Sequence, residues 1–240
     1  MKVSIILPTF NEADNIVKLI EDIIINIPKE YKYEIMVVDD NSADGTYEKV
    51  RKAFKDNEAV IPVLRLSDHG LAKSIRHGVE QSTGDQIIVM DTDFTHDPRE
   101  IPRLLHVGKI YDLVSGSRFC SGGSMQDVGH YLASLAYNLV LRIILRTQVQ
   151  DNLGGYFTIK KQKLMEMPLD LIFWGYGEYF FRLLHFVKYK KMSLVEIPAI
   201  YKVRFSGVSK SNFFKMLFSY TYAAIQLRCH HFSKTMEKDS

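Results

Sequence analysis

Four short runs punctuate the N-terminal part of the chain: KVSIILP (2–8), YEIMVVDD (33–40), VIPVLRL (60–66) and DQIIVMD (85–91). Each joins apolar and β-branched residues without the alternation of a half-exposed strand, so each is expected to be buried on both faces. Between them lie stretches of helical period. Residues 11–27 place Ile16, Leu19, Ile20 and Ile23 on one face, with Asn11 or Asp14 as the cap. Helices are also expected over 43–54 and 70–82, and another starts at Pro98. Strands buried on both faces that alternate with helices predict an α/β fold, a doubly wound, mostly parallel sheet with flanking helices. A chain of 240 residues, 46% of them hydrophobic, can bury the core such a sheet needs.

Three of these strands end in polar clusters: PTFNE after the first, DDNSADGT after the second and DTDFTHD after the fourth. Each has a local explanation, a helix cap at Asn11 or a turn at NSADG. In a parallel sheet all three gather on one edge, the edge where ligands bind. Asp91 and Asp93 stand one residue apart just past the fourth strand. Paired carboxylates of this kind suit Mg²⁺ or Mn²⁺, which bind through one or two carboxylates and complete their shell with substrate phosphates. A diphosphate is therefore the natural ligand. The chain has neither a P-loop GxxxxGK[ST] nor a GxGxxG after its first strand, so the nucleotide must be held in another way.

Charge excludes some partners. With 31 basic against 28 acidic side chains, the net charge of +3 does not advertise a nucleic-acid binder, and none is expected. Cys120 and Cys229 match no zinc spacing and point to a reducing, cytoplasmic environment. VSIIL is stopped by Pro8 before it can form a signal-peptide core, and no stretch is expected to reach the length of a membrane span.

Together LPTFNEADNI, VVDDNSADGT, MDTDFTHDP, SGSRF and RFSGVSK resemble the family-two glycosyltransferases of GT-A fold, and within them dolichol-phosphate mannose synthases and other polyprenyl-phosphate sugar transferases. The resemblance runs over about residues 2–212. It implies metal-assisted transfer of a hexose such as mannose or glucose, with inversion, from a GDP- or UDP-linked donor to a polyprenyl phosphate. By this resemblance Pro8, Thr9, Phe10 and Glu12 line the base and ribose pocket, and Asp39 or Asp40 reaches the base. Gly70 and Lys73 close over it. Asp93 is the expected metal ligand, with Asp91 nearer the ribose or sugar and Thr95 a further metal contact. Arg118 meets acceptor phosphate or donor sugar, and Arg204 and Lys210 clamp the diphosphate from a loop. Arginine and lysine there would stabilise the charge of a leaving diphosphate.

The middle of the chain departs from the mannose-synthase pattern. Gly122 and Gly123 lead into SMQDVGHYLASLAYNLVLRIIL, with His130 and Leu135 where basic residues are usual, although Ser134 and Asn138 still fit. A hydroxyl acceptor in a glycan or glycolipid is the alternative, and it would need a general base, for which Asp151 and Glu178 are the candidates. Glu178 and Arg182 are equally read as an i, i+4 ion pair. His96 and His130 receive no catalytic role. A GT-A domain is expected over 1–212, followed by an aromatic amphipathic helix and a frayed tail, SKTMEKDS, over 213–240. That helix and the apolar segment 122–144 suggest peripheral attachment at the cytoplasmic face of a membrane, which leaves room for a membrane partner subunit. Two other classes are weighed. A nucleotidyltransferase would carry a glycine- and lysine-rich signature after the first strand, and a non-catalytic sugar-nucleotide-binding module would not need Asp91, Asp93, Arg204 and Lys210 together.

Overall fold

The four apolar runs form the left half of one seven-stranded sheet in a computed structural model that describes residues 1–202 and 213–229. Strands β1 (Lys2–Thr9), β2 (Lys32–Asp39), β3 (Val60–Leu64) and β4 (Gln86–Val89) are mutually parallel in the order β3-β2-β1-β4. Helices α1 (Ile16–Asn26), α2 (Thr46–Ala53) and α3 (Leu71–Gln81) connect them, each shorter than its sequence span. The chain reverses its winding direction between β1 and β4, which opens a crevice at their carboxyl ends. Helix α3 lies against this point. A Cβ on Gly78 would come within 2.6 Å of Ile6 Cγ2, so the small residue sets how closely the helix approaches the strand.

Neither expected cap is used at α1. The helix begins after Asn15, whose side chain makes no capping bond to it, and Asn11 instead adopts a left-handed φ of 57° in the preceding turn. From there it ties two loops together: its N–H donates to Ser42 Oγ (2.8 Å) and its Oδ1 accepts from Ala43 N (3.1 Å). The helix expected at Pro98 starts as a single 3-10 turn, Pro98–Glu100, and continues as α4 (Ile101–Gly108).

Beyond α4 the sheet gains β5 (Leu113–Ser117), then a two-residue strand β6 (Ser124–Met125) and the long helix α5 (Val128–Leu145). Strand β7 (Phe157–Lys160) inserts between β4 and β5, antiparallel to both. Helices α6 (Lys161–Met165), α7 (Leu169–Ile172) and α8 (Tyr179–Tyr189) follow, then β8 (Leu194–Pro198) at the sheet edge and β9 (Ile200–Tyr201), which pairs with β6. Helix α9 (Phe213–Cys229) packs on α5 and α8 through Leu141, Leu145, Phe181, Tyr220, Ala224 and Leu227.

Helix α5 corrects one expectation. Its 18 residues have a mean hydropathy of 1.4, long and apolar enough to cross a membrane by length and composition. Asn138, Leu141 and Leu145 are buried against the protein, while Val128, Leu132, Leu139 and Ile143 are exposed.

Candidate active site

The carboxyl ends of β2 and β4 lead into buried acids that are already held by hydrogen bonds. Asp39, with no exposed surface, accepts from Thr9 Oγ1 (3.0 Å), Ser42 N (2.8 Å) and Ser42 Oγ (2.6 Å). Asp40 accepts from Arg65 Nη1 (2.5 Å), Ser74 Oγ (2.7 Å) and Gly70 N (2.6 Å). Buried carboxylates need such partners, and here three elements supply them to one residue. Phe10 is half exposed beside them, while Glu12 is drawn into its own turn, accepting from Asn15 Nδ2 (2.9 Å) as its N–H donates to Thr46 Oγ1 (2.9 Å). The Pro8 carbonyl accepts from Thr92 Oγ1 (3.4 Å), which joins the β1 end to the turn after β4. Lys73 pairs with Asp68, and that contact holds the Asp68 carboxyl below its ordinary range.

The turn after β4 is compact because Phe94 takes a left-handed φ of 64°. Asp93, 7% exposed, accepts from Thr95 N (3.1 Å) and Thr95 Oγ1 (2.6 Å). Asp91 has 46% of its side chain exposed, and its backbone N–H donates to Nδ1 of the buried His96 (2.8 Å). Next in the turn, Asp97 binds Arg99 and, at 2.8 Å, Lys202 Nζ. Burial alone would raise the Asp97 carboxyl, but the hydrogen bonds from Arg99 and Lys202 outweigh it and hold it at about 2. Lys202 N also donates to Thr95 O (3.2 Å). The chain is therefore pinned to the acidic turn immediately before the basic segment that contains Arg204 and Lys210; those two residues, Gly207 and the C-terminal tail lie outside the described residues.

A second cluster sits where β5 ends. Arg118 forms a bidentate pair with the fully buried Asp151, Nε to Oδ2 at 2.8 Å and Nη2 to Oδ1 at 2.7 Å, between the rings of Phe119 and Tyr201. Burial opposes the guanidinium charge, yet Asp151 raises the Arg118 pKa above its ordinary value. Glu178 accepts from Tyr176 N (2.9 Å) and faces Arg182 at 3.4 Å; burial lowers Arg182 to about 10 against the pull of Glu178. Both carboxylates once weighed as general bases thus serve arginines. On α5, Asp127 caps the helix through His130 N (2.9 Å) and pairs with His130 Nδ1 (2.7 Å), both at the surface. An open groove of about 380 Å³ runs along this helix between Phe119, Leu132, Leu135, Leu139, Arg142 and Gln150.

Among the described residues no three His, Cys, Asp or Glu side chains are grouped to hold a metal ion. Asp91 and Asp93 nevertheless fit a Mg²⁺ or Mn²⁺ site in donor chemistry. They offer hard oxygens from two carboxylates, the share a protein gives such an ion when a diphosphate and water supply the rest.

The sequence profile described as "Glycosyl transferase family 2" matches residues 4–167. The chain belongs to this family. This family-two glycosyltransferase is 34% identical over 217 residues to the dolichol-phosphate mannosyltransferase of Pyrococcus furiosus, in an alignment that takes in 88% of the chain and 59% of that relative. It thus spans less than two thirds of the Pyrococcus protein's length. It is 31% identical over 220 residues to the undecaprenyl-phosphate mannosyltransferase of Micrococcus luteus, covering 88% of the chain and 87% of the relative. Among solved structures, it matches glucosyl-3-phosphoglycerate synthase from Mycobacterium tuberculosis in complex with Mn²⁺, UDP and glucosyl-3-phosphoglycerate, with a TM-score of 0.71 at 18% identity over 95% of this chain and 80% of that one. The same enzyme with Mg²⁺ and UDP matches with a TM-score of 0.69 at 17% identity, over 94% and 79%. These likenesses establish the GT-A fold.

Of the residues singled out from the sequence, this family-two enzyme gathers Pro8, Thr9, Phe10, Asp39, Asp40, Gly70, Asp91, Asp93 and Thr95 along one sheet edge. Arg118 joins the edge from β5, already engaged by Asp151. Arg65, not singled out from the sequence, and His96, given no catalytic role there, both belong to this edge. Arg65 is a buried cation closing an apolar strand, a placement that by itself signals a buried acid partner. His96 follows Asp91 by five residues in a tight turn, close enough for its ring to reach back.

Proposed function

We propose that this chain transfers a hexose, with inversion, from a nucleoside diphosphate sugar to a polyprenyl phosphate, and that it uses Mg²⁺ or Mn²⁺. The observation that carries the reading is the Asp91 and Asp93 pair at the switch point between β1 and β4, beside the buried acids Asp39 and Asp40. In this assignment the base and ribose lie along Pro8, Thr9, Phe10 and Glu12, with Asp39 or Asp40 oriented toward the base and the Gly70 turn beside it. Asp93, Asp91 and the Thr95 hydroxyl hold the metal. Once bound, the ion would neutralise the charge that grows on the leaving diphosphate. Arg204 and Lys210 are assigned to the same charge, and the Lys202 tether would deliver them from the acidic turn.

The choice of acceptor follows from what the second cluster lacks. A hydroxyl nucleophile needs a base, whereas a phosphate monoester is already ionised and needs only positioning. Asp151 is locked to Arg118, and Glu178 is enclosed by Tyr176 N and Arg182. Both are committed to arginine and amide partners. The apolar faces of α5 and α9 support a lipid acceptor presented at a membrane surface, with His130 and Ser134 on the α5 face and Arg118 at its inner end. The names of the Pyrococcus and Micrococcus relatives agree with this reading. Incubation with GDP-mannose, GDP-glucose, UDP-glucose and related donors, Mn²⁺, and either dolichyl phosphate, undecaprenyl phosphate or free glycans tests it. Labelled sugar is expected on a lipid phosphate. Transfer to a glycan hydroxyl with none to lipid phosphate would move the enzyme to the alternative class.

A further inference from the structure

His96 is buried to 1% in a turn that otherwise displays acids to the site, and its ring is held on every side. Tyr156 stacks on it with ring centroids 4.7 Å apart and planes 10° apart, and Tyr201 meets it edge-on at 4.8 Å. Both ring nitrogens are used. The Asp91 backbone N–H can only donate, so Nδ1, 2.8 Å away, must be the unprotonated acceptor. The proton therefore sits on Nε2, which donates to the Gly154 carbonyl at 3.2 Å. That same carbonyl accepts from Tyr201 Oη at 2.8 Å.

Gly154 is itself fixed. A Cβ there would lie 3.1 Å from Tyr201 Oη, 3.2 Å from Gly116 O and 3.3 Å from Asp151 Cγ. The carbonyl is thus set by the Arg118–Asp151 pair on one side and by β9 on the other. Through His96, the position of Asp91 is referred to this frame as well as to its own turn.

We infer that His96 is a positioning residue for the transfer reaction: with its proton on Nε2, the ring anchors to Gly154 O and Tyr201 and uses Nδ1 to fix the Asp91 backbone, so that Asp91 and Asp93 present their carboxylates to a metal–diphosphate in one geometry. This rests on the functional reading above. It explains why a buried imidazole, its Nε2 also 3.7 Å from Asp91 Oδ2, occupies the centre of the acidic turn. Partners that orient a metal's ligands typically contribute about 10- to 100-fold in affinity or activity.

Three substitutions separate the two ends of the ring. His96→Asn places an amide oxygen near the Nδ1 position and keeps an acceptor for Asp91 N–H. His96→Gln reaches toward Gly154 but offers nothing at Nδ1, and His96→Phe keeps the aromatic stack while losing both bonds. Three readouts are taken: exchange of the Asp91 amide, affinity for Mn²⁺ in the presence of GDP or UDP, and kcat with donor and acceptor KM. His96→Phe and His96→Gln are expected to expose the Asp91 amide and to weaken Mn²⁺ binding and kcat by about tenfold or more, with acceptor KM unchanged. His96→Asn is expected to restore amide protection and most of kcat. Wild-type Mn²⁺ affinity and kcat in folded His96→Phe, or equal loss in the Asn and Gln variants, would overturn the inference. If His96→Phe does not fold, the Asn and Gln pair decides, together with the ¹⁵N signature of the wild-type ring, where a proton on Nδ1 contradicts the proposal. If the wild type neither binds nucleotide with Mn²⁺ nor transfers sugar, the functional reading fails, and the Asp91 amide in the three variants still settles the positioning role.

Discussion

The edge we assign to the donor and the face we assign to the acceptor are built on opposite principles. At the donor edge, Asp39, Asp40 and Asp93 are buried and each already receives hydrogen bonds from side chains or amides of other segments or of its own turn. The acceptor face exposes Leu132, Leu139 and Ile143 of α5 and Phe218, Tyr222 and Ile225 of α9, with polar groups confined to a few positions. Burying acids costs desolvation energy that only a fixed set of donors offsets, so the donor edge is organised before substrate arrives. An apolar face has no such geometry to prepare. It gains its energy from area removed from water, and it tolerates variation in what covers it. The contrast teaches that one molecule can be exacting at a polar edge and permissive at an apolar face.

The largest effect that would test this contrast is at the acidic turn. Asp93→Ala should lower turnover by about three orders of magnitude while circular dichroism and thermal unfolding stay near wild type, because the metal and diphosphate charge lose their ligand. Undiminished activity in the folded variant, or in excess chelator, would remove the metal from the mechanism.

Next in size is the loss expected from the Arg118–Asp151 pair. Asp151→Ala strands a buried guanidinium and should reduce unfolding free energy by about 3–5 kcal/mol in denaturant titrations. A general base would behave in the opposite way, with activity abolished and stability kept.

The acceptor face should respond more gently. Leu139→Ser combined with Phe218→Ser is expected to weaken partition onto anionic vesicles by about tenfold in a flotation assay, with kcat toward a short-chain, detergent-dispersed acceptor unchanged. Vesicle binding that ignores both substitutions would detach these helices from the membrane.

The smallest effect is an acid one, and it belongs to the organised half. Burial raises the Glu34 carboxyl, but Lys2, Ser4 and Thr83 together hold it at about 2 against an ordinary 4.5. A carboxyl depressed in the folded state contributes stability above its unfolded value and loses it as pH falls toward the folded one. Stability should therefore decline between about pH 4.5 and 2 in the wild type, and Glu34→Gln should flatten that slope. An unchanged slope in the variant would mean that other carboxylates govern acid unfolding.

Much of the donor half was legible in the sequence because strands buried on both faces leave uninterrupted apolar runs, and because acids just past a strand have few other reasons to be there. Right-handed crossovers then set the face of the sheet that each helix covers, while the step that puts β4 on the other side of β1 is seen only in the structure. Strand β7 was not legible. YFTIK is short, and although Gly154 and Gly155 mark a turn before it, its antiparallel place comes from neighbours far away in sequence. Helix α5 was hidden differently: its Gly129, His130, Asn138 and Arg142 interrupt the apolar run, although its hydropathy over the full length meets the standard of a membrane span. The pairing of Arg118 with Asp151 joins residues 33 apart with no local pattern to announce it. His96 looked like an ordinary polar residue before an Asp-Pro turn. Only the left-handed Phe94 brings its ring back under Asp91.

The reversed direction of β7 has an architectural consequence. Because β7 runs against β4 and β5, the chain re-enters the sheet at the same rim from which β5 left it. Both ends of the intervening excursion are fastened there, the outgoing end by the β6–β9 pairing and the returning end by Gln150 N and Asp151 N donating to Glu196 at 2.7 and 2.9 Å. Residues 126–149 therefore form a cartridge, plugged in at two adjacent sockets, that can be exchanged for a segment of different length or polarity without re-threading the sheet. It is latched to the rest of the molecule by Asn138, whose Oδ1 accepts from Asn152 N at 2.7 Å, by Tyr137 Oη on Leu217 O at 3.2 Å, and by the packing of Leu141 and Leu145 on α9. A graft that keeps these contacts would leave the acidic sheet edge as it stands.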